Sequence, residues 1–255
     1  MEKTINSKDN KLIKLVRKLF TDKKVRNEMN MFVCETVRVV DMCLNFKIVN
    51  ILIASDSKYL TKYNQPEVVI VNSKIFASLS DLANSDGVIG VFFKPKIPFA
   101  ITPNRPYVIL DHIQNPGNLG SLIRSAVAFK MGGIVITNDS VDIYHPQIIR
   151  STMGAIFKIG ISISTNLLNT IALFKQNNFV VYATALTKDA TDVNAVKFTK
   201  QSVVIFGNEG NGIDPQAIKQ CDQTIYIPIS SDVNSLNVGV AGGIIMQYLS
   251  AKWPK

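Results

Sequence analysis

Apolar residues along the chain fall into two recurring patterns. Leu12, Ile13, Leu15, Val16, Leu19 and Phe20 recur at three- and four-residue spacing with Lys and Arg between them, which predicts an amphipathic helix. Short β-branched runs follow, alternating with helical stretches. "MFVCE", "VNILIAS", "EVVIVN" and "GVIGVFF" read as strands, "TVRVVDMCLNF" and "SKIFASLSDLA" as helices. The alternation breaks at "KPKIPFAITPNRP", where Pro95, Pro98, Pro103 and Pro106 forbid a regular helix or a central strand. It resumes with "YVILD", "GGIVIT", "FVVYATAL", "SVVIFG" and "TIYIPI". These runs are apolar at consecutive positions, as in strands covered on both faces, so a parallel sheet between helices is expected. The predicted organisation is a small N-terminal α/β domain (1–94), a Pro-rich linker (95–106) and a C-terminal α/β parallel-sheet domain (107–255). A last, nearly all-apolar helix is expected from about Ser235 to Leu249, with Gly239, Gly242 and Gly243 allowing another backbone to come close.

Charge sharpens this picture. The net charge is +9, and residues 1–26 hold nine Lys/Arg against three acids, so six of the excess charges lie in the first tenth of the chain. Such an arm suits a polyanion, because each cation that neutralises a phosphate releases a counterion; a solvated helix face is the plainer reading. Cys34, Cys43 and Cys221 are far apart in sequence, which indicates neither a disulfide framework nor a metal site. A reduced, cytoplasmic compartment is expected. The N-terminus is charged where a signal peptide needs an apolar core, and no apolar run approaches the roughly 18 residues of a membrane span, so no membrane association is expected.

Three of the C-terminal apolar runs end in chemically unusual loops. "YVILD" leads to "HIQNPGNLG", "SVVIF" to "GNEGNGIDP", and "TIYIPI" to "SSDVNSLN". Ligands of open parallel sheets bind beyond the carboxyl ends of strands, so these loops are expected to converge on one pocket. Taken alone, Pro116 and Gly117 also suit an ordinary turn with Asn118 as a helix cap, and Ser235 suits a cap as well. The loops carry the amides of Asn118 and Asn237, the hydroxyl of Ser235, the carboxylate of Glu209 and the guanidinium of Arg124. That inventory fits a neutral or zwitterionic cofactor and an RNA phosphate better than a metal or a covalent intermediate. The glycines of "GNEGNG" do not follow the dinucleotide-binding spacing, and no phosphate-loop lysine motif is present. His112 and His145 lack partners at metal-ligand spacing, and Ser235 lacks an acid–base relay.

In order, "NPGNLGSLIRSA", "VIFGNEGNGI" and "IPISSDVNSLNVGVA" resemble the three motifs of the SpoU/TrmH family of RNA ribose 2′-O-methyltransferases. The N-terminal part is similar, through "INSKDNKLIKLVRKL" and "MFVCE", to the small RNA-binding domain of the family's ribosomal RNA members. The resemblance implies a trefoil-knotted methyltransferase domain, S-adenosylmethionine as cofactor and a homodimer with the active site near the subunit interface. It implies catalytic roles for Asn118, Arg124, Glu209, Ser235 and Asn237, cofactor contacts at Gly207, Ile227 and Leu236, and no metal. Lys8, Lys11, Lys14, Arg17 and Lys18 are the expected RNA contacts. The chain departs from the family pattern in the third motif at Ser231, Asn234 and Gly239, which bears on substrate preference more than on activity, and in "MFVCET" at Thr36, where relatives usually carry glycine.

The implied reaction is methyl transfer to a ribose hydroxyl, with ribosomal RNA of the large subunit favoured over tRNA. A tRNA ribose methyltransferase and a catalytically silent RNA-binding or ribosome-assembly protein are the competing readings. An arginine is a poor base at neutral pH, so Arg124 is expected to clamp a phosphate and stabilise the developing alkoxide. Glu209 is expected to anchor loop N–H groups or to face Arg124.

Overall fold

A computed structural model of the chain describes residues 3–63 and 67–250. Glu2, counted in the basic arm, lies outside the described residues. The chain divides into two units, residues 1–96 with 142–154, and residues 97–141 with 155–255.

The first unit runs β1 (Lys3–Ile5), α1 (Lys11–Thr21), α2 (Lys23–Glu28), β2 (Met31–Glu35), α3 (Val37–Leu44), β3 (Val49–Ala54), α4 (Lys58–Lys62), β4 (Val68–Val71), α5 (Ser73–Ala77) and β5 (Val88–Phe93). Its sheet has the order β1-β4-β3-β5-β2. The first three strands are parallel, whereas β5 runs antiparallel to both β3 and β2. Helix α1 forms where the periodicity predicts it, capped by the Asn10 side chain, which accepts from the Leu12 N–H at 2.9 Å. Its Ile13, Val16, Leu19 and Phe20 are buried in one core with Val33, Ile53, Val69 and Val91. Each such side chain contributes about 1.5–3 kcal/mol through burial. Helix α5 is shorter than its apolar pattern predicts. The hydroxyls of Ser78 and Ser80 engage the local backbone, the first donating to Ile75 O and the second accepting from Leu82 N, and the helix stops. Residues 142–154 bring a helix at Pro146–Thr152 into this unit. Buried Arg26 holds Asp142 at 2.7 Å and also donates to the carbonyls of Leu19 and Phe20.

The second unit comprises β6 (Tyr107–Leu110), α6 (Pro116–Ala128), β7 (Gly133–Thr137), β8 (Ile161–Ser164), α8 (Leu167–Gln176), β9 (Val180–Thr184), β10 (Thr191–Asp192), β11 (Ser202–Phe206), α9 (Pro215–Gln220), β12 (Gln223–Tyr226) and α10 (Val238–Ser250), α7 being the Pro146–Thr152 helix. All of its strand pairs are parallel, in the order β10-β12-β9-β11-β6-β7-β8. Every residue of β6, β7 and β11 is buried, as expected of strands covered on both faces. Edge strand β8, "ISIS", alternates apolar and polar residues and stays partly exposed, so a search for continuous apolar runs passes over it. Residues 97–106 lie against this unit: Phe99 and Ile101 pack on its core, and the Tyr107 hydroxyl donates to Ala100 O and accepts from Thr102 N. The last helix begins at Val238, three residues after the predicted start. The Asn237 side chain caps it, accepting from Gly239 N at 2.9 Å and Val240 N at 3.3 Å.

Candidate active site

The sheet order creates the site. From β6 the chain moves outward through β7 and β8, then crosses to place β9 and β11 on the other side of β6, so β6 and β11 flank a topological switch point. The two loops that leave these strands are neighbours. Asp111 N donates to Phe206 O at 2.8 Å, and the Asn208 amide donates to His112 O at 2.9 Å.

The first loop enters α6 through Asn115, which corrects the expectation that Asn118 is the cap. Asn115 Oδ1 accepts from Gly117 N and Asn118 N, and Pro116 takes the first helical position, where a missing N–H costs nothing. The Asn118 side chain is thereby free to reach outward. Its Nδ2 donates to Glu209 Oε1 at 2.5 Å, and its Oδ1 accepts from Asn237 Nδ2 at 2.9 Å. One amide from each of two loops and the carboxylate of the third thus form a continuous chain, Glu209–Asn118–Asn237. Glu209 faces Asn118 and neither Arg124 nor the loop amides; the loop amides of Gly210 and Asn211 are held by Asn208 Oδ1.

Glycines let these parts approach. A Cβ on Gly207 would stand 2.5 Å from the backbone carbon of Gly212, where Asn208 and Gly212 pair as a bridge that closes the loop. A Cβ on Gly242 would meet Leu122 Cδ2 at 2.2 Å, so α10 sits directly on α6.

Beyond the carboxyl ends of β9 and β12 lies a cleft of about 170 Å³. Ile225, Ile227, Leu236, Ala241 and Ile245 make its walls largely apolar, and Ser235 stands at its polar margin. Apolar walls beside strand-end peptide groups suit a flat heteroaromatic ring with a short zwitterionic tail, the chemistry of S-adenosylmethionine. Ile227 and Leu236 both line this cleft, while Gly207 is at the foot of the neighbouring loop and does not. Ser235 is exposed and caps no helix, that role being taken by Asn237. Arg124 is exposed on α6, on the order of 9 Å along the helix axis from Asn118. Among the described residues its guanidinium has no hydrogen-bond or ion-pair partner. Of the basic residues of the first unit, Lys8, Lys11 and Lys18 are exposed, Lys14 pairs with Asp9 at 2.9 Å, and Arg17 donates to Ser78 Oγ at 3.4 Å.

Two organising residues escape a search for catalytic groups, Asn115 and Asn208. Both carry a local signal: an Asn followed by Pro-Gly at a helix start, and an Asn two residues before a loop Gly. No cluster of three or more His, Cys, Asp or Glu able to hold a metal occurs among the described residues. No helix among them is long and apolar enough to cross a membrane.

The model of the SpoU rRNA methylase family matches residues 105–247, and that of an MRM3-like substrate binding domain matches residues 10–90. The chain is 28% identical to the 23S rRNA (guanosine(2553)-2′-O)-methyltransferase RlmP of Bacillus subtilis (strain 168), over 97% of this chain and 99% of that one. It is 34% identical to the 23S rRNA (guanosine-2′-O-)-methyltransferase RlmB of Acinetobacter baylyi, over 54% of this chain and 56% of that protein. An AdoMet-bound rRNA methyltransferase from Sinorhizobium meliloti superposes with a TM-score of 0.85 at 25% identity, covering 99% of both chains.

Proposed function

The chain belongs to the SpoU rRNA methylase family, and from that premise we propose that it methylates a ribose 2′-hydroxyl of large-subunit ribosomal RNA. The observation that carries the reading is the Glu209–Asn118–Asn237 chain beside an apolar cleft at the carboxyl edge of the sheet. Ribosomal RNA is favoured over tRNA because the match to the substrate-binding domain model extends the likeness across the first unit.

S-adenosylmethionine, when bound, supplies a methyl group activated by its sulfonium. Ile227 and Leu236 would hold it in the cleft, with Gly207 allowing the adjoining loop to close tightly. Positioning supplies much of the rate of such a transfer. Asn118 and Asn237 hold the three loops in register, and Glu209 fixes the orientation of the Asn118 amide. Ser235, at the margin of the cleft, orients the ribose. Arg124, without a hydrogen-bond or ion-pair partner among the described residues, grips an adjacent phosphate through two parallel N–H donors and stabilises the developing alkoxide. It does not act as the base, since a guanidinium stays protonated below about pH 12.

The reading extends to assembly. Leu186, Val233 and Val240 are large apolar side chains of the second unit at 73%, 51% and 53% exposure. Leu186 lines the cleft, and the other two belong to the third loop and the start of α10. Their exposure supports a homodimer that covers them, and the trefoil knot of the family accompanies this fold.

The test is transfer of radiolabelled methyl from S-adenosylmethionine to unmodified total RNA, separated into ribosomal and transfer pools. Label is expected in ribosomal RNA as 2′-O-methyl nucleotide, and Arg124→Ala is expected to abolish it without loss of cofactor binding. Label in the transfer pool alone would replace the substrate; cofactor binding with no label in either pool, or no cofactor binding, would overturn the activity.

A further inference from the structure

The end of the larger sheet opposite the candidate active site carries a groove that methyl transfer leaves unused. It lies at the N-terminal ends of β6, β8 and β11, beside the C-terminal ends of α6 and α10, and has a volume of about 920 Å³. Arg105, Lys130, Lys158 and Lys200 line it from four separate segments, and among the described residues no Asp or Glu does. All four are exposed. Among the described residues, the side chains of Arg105, Lys130 and Lys158 have no hydrogen-bond or ion-pair partner.

A helix C-terminus attracts a cation through its dipole, which accounts for Lys130 at the end of α6. It does not account for the other three, which come from the chain entering β6, β8 and β11. Like charges gathered in one concavity repel each other, and a partner of opposite sign relieves the repulsion. A small anion meets one or two of these dispersed cations, whereas a repeating phosphodiester meets Arg105, Lys130 and Lys158 together and releases a counterion at each. Phe129, on the same wall, offers a ring on which a base can stack. A two-fold interface centred on the groove would set cation against cation, which disfavours a second copy as the occupant.

We propose that this groove binds the phosphodiester backbone of the substrate RNA, as a second contact surface within the catalytic unit, separate from the basic helix of the first. The proposal rests on the RNA-methyltransferase reading but is tested by affinity, not by turnover. The probe is an unmodified transcript of large-subunit ribosomal RNA, titrated with the full chain at several salt concentrations. The variant K130Q/K158Q is expected to bind it roughly threefold to tenfold more weakly at 0.1 M salt, with the log–log salt slope reduced by about one to two. K130R/K158R, which keeps the charge, is expected to bind as the unaltered chain does. S-adenosylmethionine affinity, measured by calorimetry, is expected to stay within twofold in all three, which verifies folding.

Affinity and salt slope of K130Q/K158Q equal to those of the unaltered chain would overturn the proposal. So would a changed oligomeric state by light scattering with RNA affinity unaltered, because the groove would then serve self-association. An unaltered chain that binds the transcript without methylating it would overturn the activity, while the groove would still be judged on affinity.

Discussion

Asn118 is the residue on which the candidate site turns. Its two side-chain bonds join loops 91 and 119 positions distant in sequence. Asn118→Ala would leave Glu209 and Asn237 without that partner, so the loops lose register while the core is untouched. The expected result is a roughly 10–100-fold lower kcat/KM, with unfolding free energy changed by less than about 1 kcal/mol, since all three groups reach solvent. Kinetics and urea denaturation of the same preparation separate the two effects. A different residue contributes a pH dependence to stability. Glu35 is buried, held by Ser80 Oγ at 2.6 Å and more distantly by Arg150, and burial raises its carboxyl above the usual glutamate range. A raised carboxyl contributes stability that is fully present below the ordinary glutamate value and lost as pH rises through the folded-state value. Glu35→Gln is therefore expected to gain stability relative to the unaltered chain as pH rises from below the ordinary glutamate value through the raised folded-state value, the gain then levelling off; a difference independent of pH would refute this.

At the scale of elements, the loop after β11 is closed by backbone contact. Gly207→Ala places a methyl 2.5 Å from the Gly212 backbone, which cannot swing aside as a side-chain end can. The variant is expected to cost about 1–3 kcal/mol, and to weaken S-adenosylmethionine binding together with it, by calorimetry and thermal unfolding. The adjoining helices follow rules that the sequence states only in part. The pattern places α6 directly after the Asn-Pro-Gly turn, but two amides three residues apart both suit a cap. Pro116 decides between them, because a proline accepted at the first helical position puts the cap one residue before it. The start of α10 shows the same ambiguity between Ser235 and Asn237, and there the Asn237 carboxamide takes the amides of Gly239 and Val240.

Over the whole molecule, exposed Lys and Arg residues occur both on α1 and in the groove of the catalytic unit. On α1 and the turn before it, Lys8, Lys11 and Lys18 face solvent without partners among the described residues, whereas Lys14 and Arg17 are partly engaged. The triple variant K8Q/K11Q/K18Q is expected to weaken binding of the ribosomal transcript and to lower the salt slope by roughly two to three, leaving cofactor affinity unchanged. Filter binding across a salt series measures both, and an unchanged slope would assign these lysines to solvent alone.

Periodicity and loop chemistry, read in order along the chain, determined much of this protein. Continuous apolar runs specify β6, β7, β9 and β11, because a strand covered on both faces needs apolar residues at consecutive positions. The three loop motifs specify the family and the residues to examine. Those signals are local, and what they leave open is not. Residues 142–154 join the first unit through Arg26 and Asp142, and no local pattern marks that excursion. Edge strand β8 is held by its pairing to β7, although it has no continuous apolar run of its own. The meeting of Asn118 with Glu209 and Asn237, and of four cations in one groove, follows from strand order. Strand order is settled only when segments remote in sequence compete for the same hydrogen-bonding edge, a choice made by the tertiary structure and written in no single stretch of the chain.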